Sequence, residues 1–208
     1  MNDALLANLL NILLFVSFLS IALRAFSLYI QIRSPRLFIL GLSLGVIACT
    51  AAADFVSGIV TNISLNTDWF LFLGQAVGFA FIFLSLVRGS NEFLRRLLFW
   101  QVICMPLAFF LLLLAPVLPD FPNTAIRAIL SGSRCMVCFL IFGCYAYAFM
   151  SKKTRFSLLM SGAFLLLSVG YSLILPKYFF PQQDILDQVG DVVRIIGLVI
   201  LLVAYLWG

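Results

Sequence analysis

Histidine is absent from the 208 residues. Its absence removes histidine-ligated haem, histidine-containing zinc sites and Ser-His-Asp catalysis from consideration. Charge is scarce as well: only 10% of the residues are charged and 64% are hydrophobic, whereas a soluble domain is about a quarter charged and about half apolar. A water-soluble fold is excluded on composition. No polar stretch is large enough for a separate soluble domain, so residues 1–208 read as one transmembrane domain. Met1-Asn2-Asp3 lacks the basic flank of a secretory leader, and the apolar run behind it has no small-residue cleavage site, which points to a retained first helix. All five cysteines, Cys49, Cys104, Cys135, Cys138 and Cys144, fall inside hydrophobic runs, so no disulfide framework is implied. The sequence implies no metal and no cofactor. The net charge of +5 comes from basic residues beside hydrophobic segments rather than from a long soluble basic face. The partner it suits is the lipid bilayer and not nucleic acid.

What is present is a series of apolar runs broken by polar or proline-bearing turns. A helix crossing about 30 Å of hydrocarbon needs roughly 20 mainly apolar residues, and seven such runs fit: about 4–30, 37–60, 69–87, 97–115, 124–150, 156–175 and 185–207. The expected fold is an all-α integral membrane protein, a bundle of seven transmembrane helices. Basic residues near helix ends stay on the cytoplasmic side. The connectors after runs one, three and five hold Arg33, Arg36, Arg88, Arg95, Arg96, Lys152, Lys153 and Arg155, and the others hold only Lys177. This predicts an outer N-terminus and a cytoplasmic C-terminus. Trp69, Trp100 and Trp207 fall at or near the expected helix ends, where amphipathic rings favour the interface. The sequence shows no convincing internal repeat.

Ionisable groups within a bilayer are costly and normally face protein or a water-filled cavity. Placed by depth, Asn11, Asp54, Gln75, Arg127, Arg134, Asp187, Asp191 and Arg194 all fall in the outer half, together with Asn8. Helical spacing sorts them into stripes: Asp187, Asp191 and Arg194 on the seventh helix, Arg127, Ser131, Arg134 and Cys138 on the fifth, Thr50, Asp54 and Ser57 on the second. The functional reading is an outward-facing pocket whose arginines meet an anionic or polar ligand and whose carboxylates hold the arginines in place. The structural reading is mutual neutralisation, since Asp54, Asp187 and Asp191 balance Arg127, Arg134 and Arg194. Both stay open on the sequence. Arg24 lies nearer the inner end of its helix, where a long side chain snorkels.

Weaker motifs have structural readings. Gly41 with Gly45, and Gly74 with Gly78, are small-xxx-small pairs suited to helix packing within the chain. Cys135 and Cys138 form a CxxC in mid-helix, without the turn of a thiol-redox motif. The Asn62-Ile63-Ser64 sequon lies in a loop too short to favour glycosylation. No lysine lies in the seventh run, which excludes a retinal Schiff base there.

In general plan the chain resembles seven-helix receptor and membrane-sensor modules. The expectation is a non-enzymatic ligand-binding or sensory protein of the plasma membrane, in a bacterial or archaeal inner membrane, passing its output through a membrane protein partner. The alternatives are a small solute or proton-coupled transporter or channel, and a structural or accessory subunit of a membrane complex. An intramembrane enzyme using Asp54 and Asp191 ranks last.

Overall fold

The computed structural model describes residues 3–59, 66–87, 90–119, 124–180 and 184–207. Among these residues the chain is all-helical, without strands, and seven of its helices are long and apolar enough to cross a membrane. They are α1 (Asp3–Ile32), α2 (Pro35–Ile59), α3 (Asp68–Leu86), α4 (Asn91–Leu113), α5 (Thr124–Lys152), α6 (Arg155–Ile174) and α7 (Asp184–Trp207), with a 3-10 turn at Leu175–Tyr178 after α6.

Number and order follow the apolar runs, but one boundary moves substantially. α4 begins at Asn91 rather than near 97, because the Ser90 hydroxyl accepts a 3.3 Å hydrogen bond from the Phe93 amide and caps the helix. Arg95 and Arg96, expected in a connector, are therefore helical, and Glu92 lies in the first turn, at the positive end of the helix dipole. Trp100, expected near a helix start, lies well inside α4. The 3-10 turn occupies part of what the sequence suggested was a plain loop, since Pro176 cannot continue α6. The end of the second run at 60, the Asn62-Ile63-Ser64 sequon, Arg88 and residues 120–122 lie outside the described residues.

The chain forms two compact units, one made of Met1–Ser17 and Asn123–Gly208, the other of Phe18–Pro122. The core of the second unit includes Ile39 and Val46 from α2, Phe81 from α3, and Leu94, Leu97 and Met105 from α4. Leu94, Leu97, Gln101, Met105 and Ala108 recur at three- and four-residue steps and form the buried face of α4. Its other face leaves Phe99, Ile103, Leu107 and Phe110 exposed, an apolar stripe at home in hydrocarbon and a liability in water. Fully buried Gln101 donates to the Ile39 carbonyl at 2.9 Å and to the Ser43 hydroxyl at 2.8 Å, tying α4 to α2 by polar contacts. At one end of this unit Asn66 Nδ2 and Trp69 Nε1 both donate to the Pro119 carbonyl, at 3.0 and 2.9 Å, so the turn after α4 is clasped to the start of α3.

Glycine sets how closely α3 approaches α2. A Cβ on Gly74 would fall 2.6 Å from Thr50 Cγ2, and one on Gly78 would fall 2.7 Å from Ile47 Cγ1 and 3.2 Å from the Ser43 carbonyl. Gly41 instead meets the Phe26 ring, and Gly45 has open space. Gly78→Ala should therefore cost about 1–3 kcal/mol through overpacking, whereas Gly45→Ala should be neutral or gain up to about 1 kcal/mol of helix propensity. Thermal unfolding of the two variants in detergent checks the contrast, and equal effects would contradict the packing described.

α1 passes into α2, and α5 into α6, through a single left-handed residue. Arg33 has φ of 57° and Lys153 has φ of 49°. Each ends its helix by donating its amide to the carbonyl four residues back, Arg33 to Tyr29 at 2.8 Å and Lys153 to Phe149 at 2.7 Å. A side chain in this region costs about 1–2 kcal/mol. Lys153→Gly should hold or slightly raise stability, and Lys153→Val should lower it by about 1–2 kcal/mol, since a β-branched side chain fits the region worst. Chemical denaturation in mixed micelles reads the difference.

Candidate ligand site

The site is built in the unit that holds α5, α6 and α7, and it starts from the absence of a side chain. A Cβ on Gly170 of α6 would fall 2.4 Å from Arg194 Cγ and 2.9 Å from the Gly190 carbonyl, and one on Gly190 would fall 3.0 Å from the Gly170 carbonyl. The backbones of α6 and α7 therefore touch, and the aliphatic stem of Arg194 runs over Gly170. This carries its guanidinium onto the neighbouring ring, with Cζ 5.2 Å from the Tyr171 centroid. Arg134 reaches the same ring from α5, its Cζ at 5.0 Å. Tyr171 is 1% exposed and Arg134 5%. The Arg134 contact is thus desolvated, a setting in which a cation–π pair is worth about 2 kcal/mol, while Arg194 keeps 14% of its side chain exposed.

Hydrogen bonds fix the two arginines. Arg194 Nη2 donates to Asp191 Oδ1, one turn earlier on α7, while Arg134 Nη2 donates to the Ser131 hydroxyl at 3.3 Å. Arg194 Nε is buried and has no hydrogen-bond partner among the described residues. Behind the arginines, Cys135 Sγ donates to the Ser168 carbonyl at 3.3 Å and the Ser168 hydroxyl donates to the Cys135 carbonyl at 3.1 Å, locking α5 to α6. Cys135 and Cys138 are free thiols, Cys138 fully buried.

Of the residues singled out by depth, the structure brings Arg134, Asp191 and Arg194 to one point. Asp187 lies one turn before Asp191 but is held by Lys177 of the 3-10 turn, so the lysine of the connector enters the pairing that the sequence suggested was confined to arginines. Arg127 is half-buried on α5, two turns before Arg134, and Asn11 is half-buried on the part of α1 that belongs to this unit. Asp54 and Gln75 belong to the other compact unit. Asp54 is half-buried on α2, its carbonyl accepting the Ser57 hydroxyl at 2.8 Å, and Gln75 is buried on α3 beside Gly74. Sequence reasoning missed Tyr171, the ring on which both guanidinium groups converge. The one signal was a phenol next to a glycine inside an apolar helix. It missed Gln101 too, a lone amide inside the fourth run.

Comparisons of the chain with protein-family models, with curated proteins and with solved structures find no match.

The ion pair on α7 makes a quantitative prediction. Asp191→Asn leaves a largely buried guanidinium without its carboxylate and should cost about 3 kcal/mol, whereas the double variant Asp191→Asn with Arg194→Met should recover most of that loss. Additive losses in this double-mutant cycle would mean that the two side chains do not interact.

Proposed function

We propose that the chain is a non-enzymatic, multi-pass plasma-membrane protein that binds a small anionic ligand from the outer side at Arg134, Tyr171 and Arg194, and serves as a sensory or receptor-like module. The observation that carries this reading is the convergence of two guanidinium groups on one buried ring. Cations held this close repel each other, and a carboxylate or phosphate bridging them relieves the repulsion through the bidentate hydrogen bonding that guanidinium favours. Charge supports the same ligand class. Arg127, Arg134 and Arg194 of α5 and α7 and Lys177 of the 3-10 turn stand against Asp187 and Asp191, a net positive charge. Asp191 orients Arg194 and leaves its Nε free to donate to a ligand.

The orientation proposed is an outer N-terminus and a cytoplasmic C-terminus. The connectors with Arg33 and Lys153 then lie on the basic inner face and Lys177 on the outer face. Ligand binding would alter the Arg194–Asp191 pair and shift α7 against α6, with output to a partner membrane protein.

Three measurements test this. Purified protein in neutral detergent should gain several degrees in Tm with at least one anion from a panel of acetate, succinate, citrate and phosphate at millimolar concentration, and Arg194→Met should abolish the gain. A wild-type Tm indifferent to every anion, or a gain that persists in Arg194→Met, would sink the ligand reading. In a cysteine-free background, Ser34→Cys and Lys177→Cys should label from opposite sides of sealed membranes. Proteoliposome flux lost in Asp54→Asn or Asp191→Asn would assign transport instead of sensing.

A further inference from the structure

We infer that the chain is a duplication of one three-helix unit, α1–α3 and α5–α7 joined by α4, and that the charged cluster is an elaboration of the second copy which the scaffold does not need in order to fold.

The register is set by the two left-handed residues. Arg33 and Lys153 are the only non-glycine residues with positive φ among the described residues, and they end corresponding helices. The amide of each is accepted by the carbonyl of an aromatic residue, Tyr29 or Phe149. Each is followed by a hydroxyl residue, Ser34 or Thr154, whose carbonyl accepts from the next helix. Counted from these two residues, the buried positions of α2 and α6 coincide over three turns. Ser43, Leu44, Ile47, Ala48, Thr50 and Ala51 are buried in α2, and the same steps of α6 bury Ala163, Phe164, Leu167, Ser168, Gly170 and Tyr171. Val46 is the one buried residue in this stretch of α2 whose counterpart, Leu166, is only half-buried.

The third helices extend the match. Gly78 of α3 lies against Ile47 and the Ser43 carbonyl, and Gly197 of α7 against Leu167 and the Ala163 carbonyl, which are the same steps of α2 and α6. With these two glycines aligned, Phe79 and Leu198, Ile82 and Leu201, and Ser85 and Ala204 are pairs of buried residues.

This register turns the first copy into an internal control for the site. Tyr171 corresponds to Ala51, Asp191 to Phe72 and Arg194 to Gln75. Gly78 closes α3 onto α2 in the first copy as Gly197 closes α7 onto α6 in the second, with buried Phe72 and Gln75 where the second copy has its ion pair. The same helix pair thus packs with or without charge, so the cluster serves something other than the scaffold. The inference is read out by folding and stands whether or not an anion is the ligand.

The full chain carrying Tyr171→Ala, Asp191→Phe and Arg194→Gln writes the first copy's residues into the second, and Tyr171→Phe, Asp191→Gln and Arg194→Met removes the Asp191–Arg194 pair while keeping volume. At least one of the two should accumulate in membranes, run as a single species in detergent and unfold no more than about 10 °C below the wild type. If both fail to accumulate or unfold more than about 10 °C lower, the cluster is part of the scaffold and the inference is overturned. Exchanging the connectors (Arg33→Lys, Ser34→Thr and Pro35→Arg with Lys153→Arg, Thr154→Ser and Arg155→Pro) tests the duplication without touching the cluster. A Tm kept within about 5 °C supports equivalent turns, and a larger fall overturns the equivalence.

Discussion

The contact between Gly170 and Gly190 is the constraint on which the rest of the site depends. Two helices can bring carbonyl oxygen to within van der Waals reach of a neighbouring Cα only where neither carries a side chain at the crossing. Once they do, Arg194 has a channel of fixed width along Gly170 and its guanidinium has one place to go, the face of Tyr171. The direction of Asp191, one turn earlier on the same helix, follows from the same rotation of α7. Arg134 then arrives on the ring from a helix held by the reciprocal Cys135–Ser168 hydrogen bonds. A methyl group on Gly170 would disturb every one of these contacts at once, although it carries no charge and touches no ligand.

Much of the fold was legible in the sequence because a bilayer leaves the backbone few choices. With no water to satisfy amides and carbonyls, apolar runs of sufficient length become helices, and the seven runs gave number and order correctly. The ends were less legible, and α4 shows why. Hydropathy falls at Asn91-Glu92 and again at Arg95-Arg96, yet one hydroxyl cap at Ser90 and the burial of Leu94 and Leu97 keep those turns helical. Cap chemistry and local burial outweigh average polarity at helix ends.

Of the site, Arg134, Asp191 and Arg194 could be nominated because charges are rare within apolar runs, and their spacing could be read because helix geometry is regular. The ring beneath them could not. An aromatic residue is ordinary in a helix of this composition, and only its position beside Gly170, where two other helices converge, makes it special. The role of Lys177 was hidden for a related reason. Proximity across a proline turn depends on the 3-10 geometry of Leu175–Tyr178, which a hydropathy profile does not encode. Depth finds the layer in which a charge sits, but pairing is decided by tertiary contact.

The left-handed turns at Arg33 and Lys153 bear on how such a chain sits in a bilayer. Only two residues separate the paired helices, Arg33 and Ser34 in one case and Lys153 and Thr154 in the other. α1 with α2, and α5 with α6, are closed hairpins, each with a guanidinium or ammonium group at its tip. A charged tip resists transfer through hydrocarbon, so in a bilayer the bend that joins each pair would also fix the side on which the pair turns.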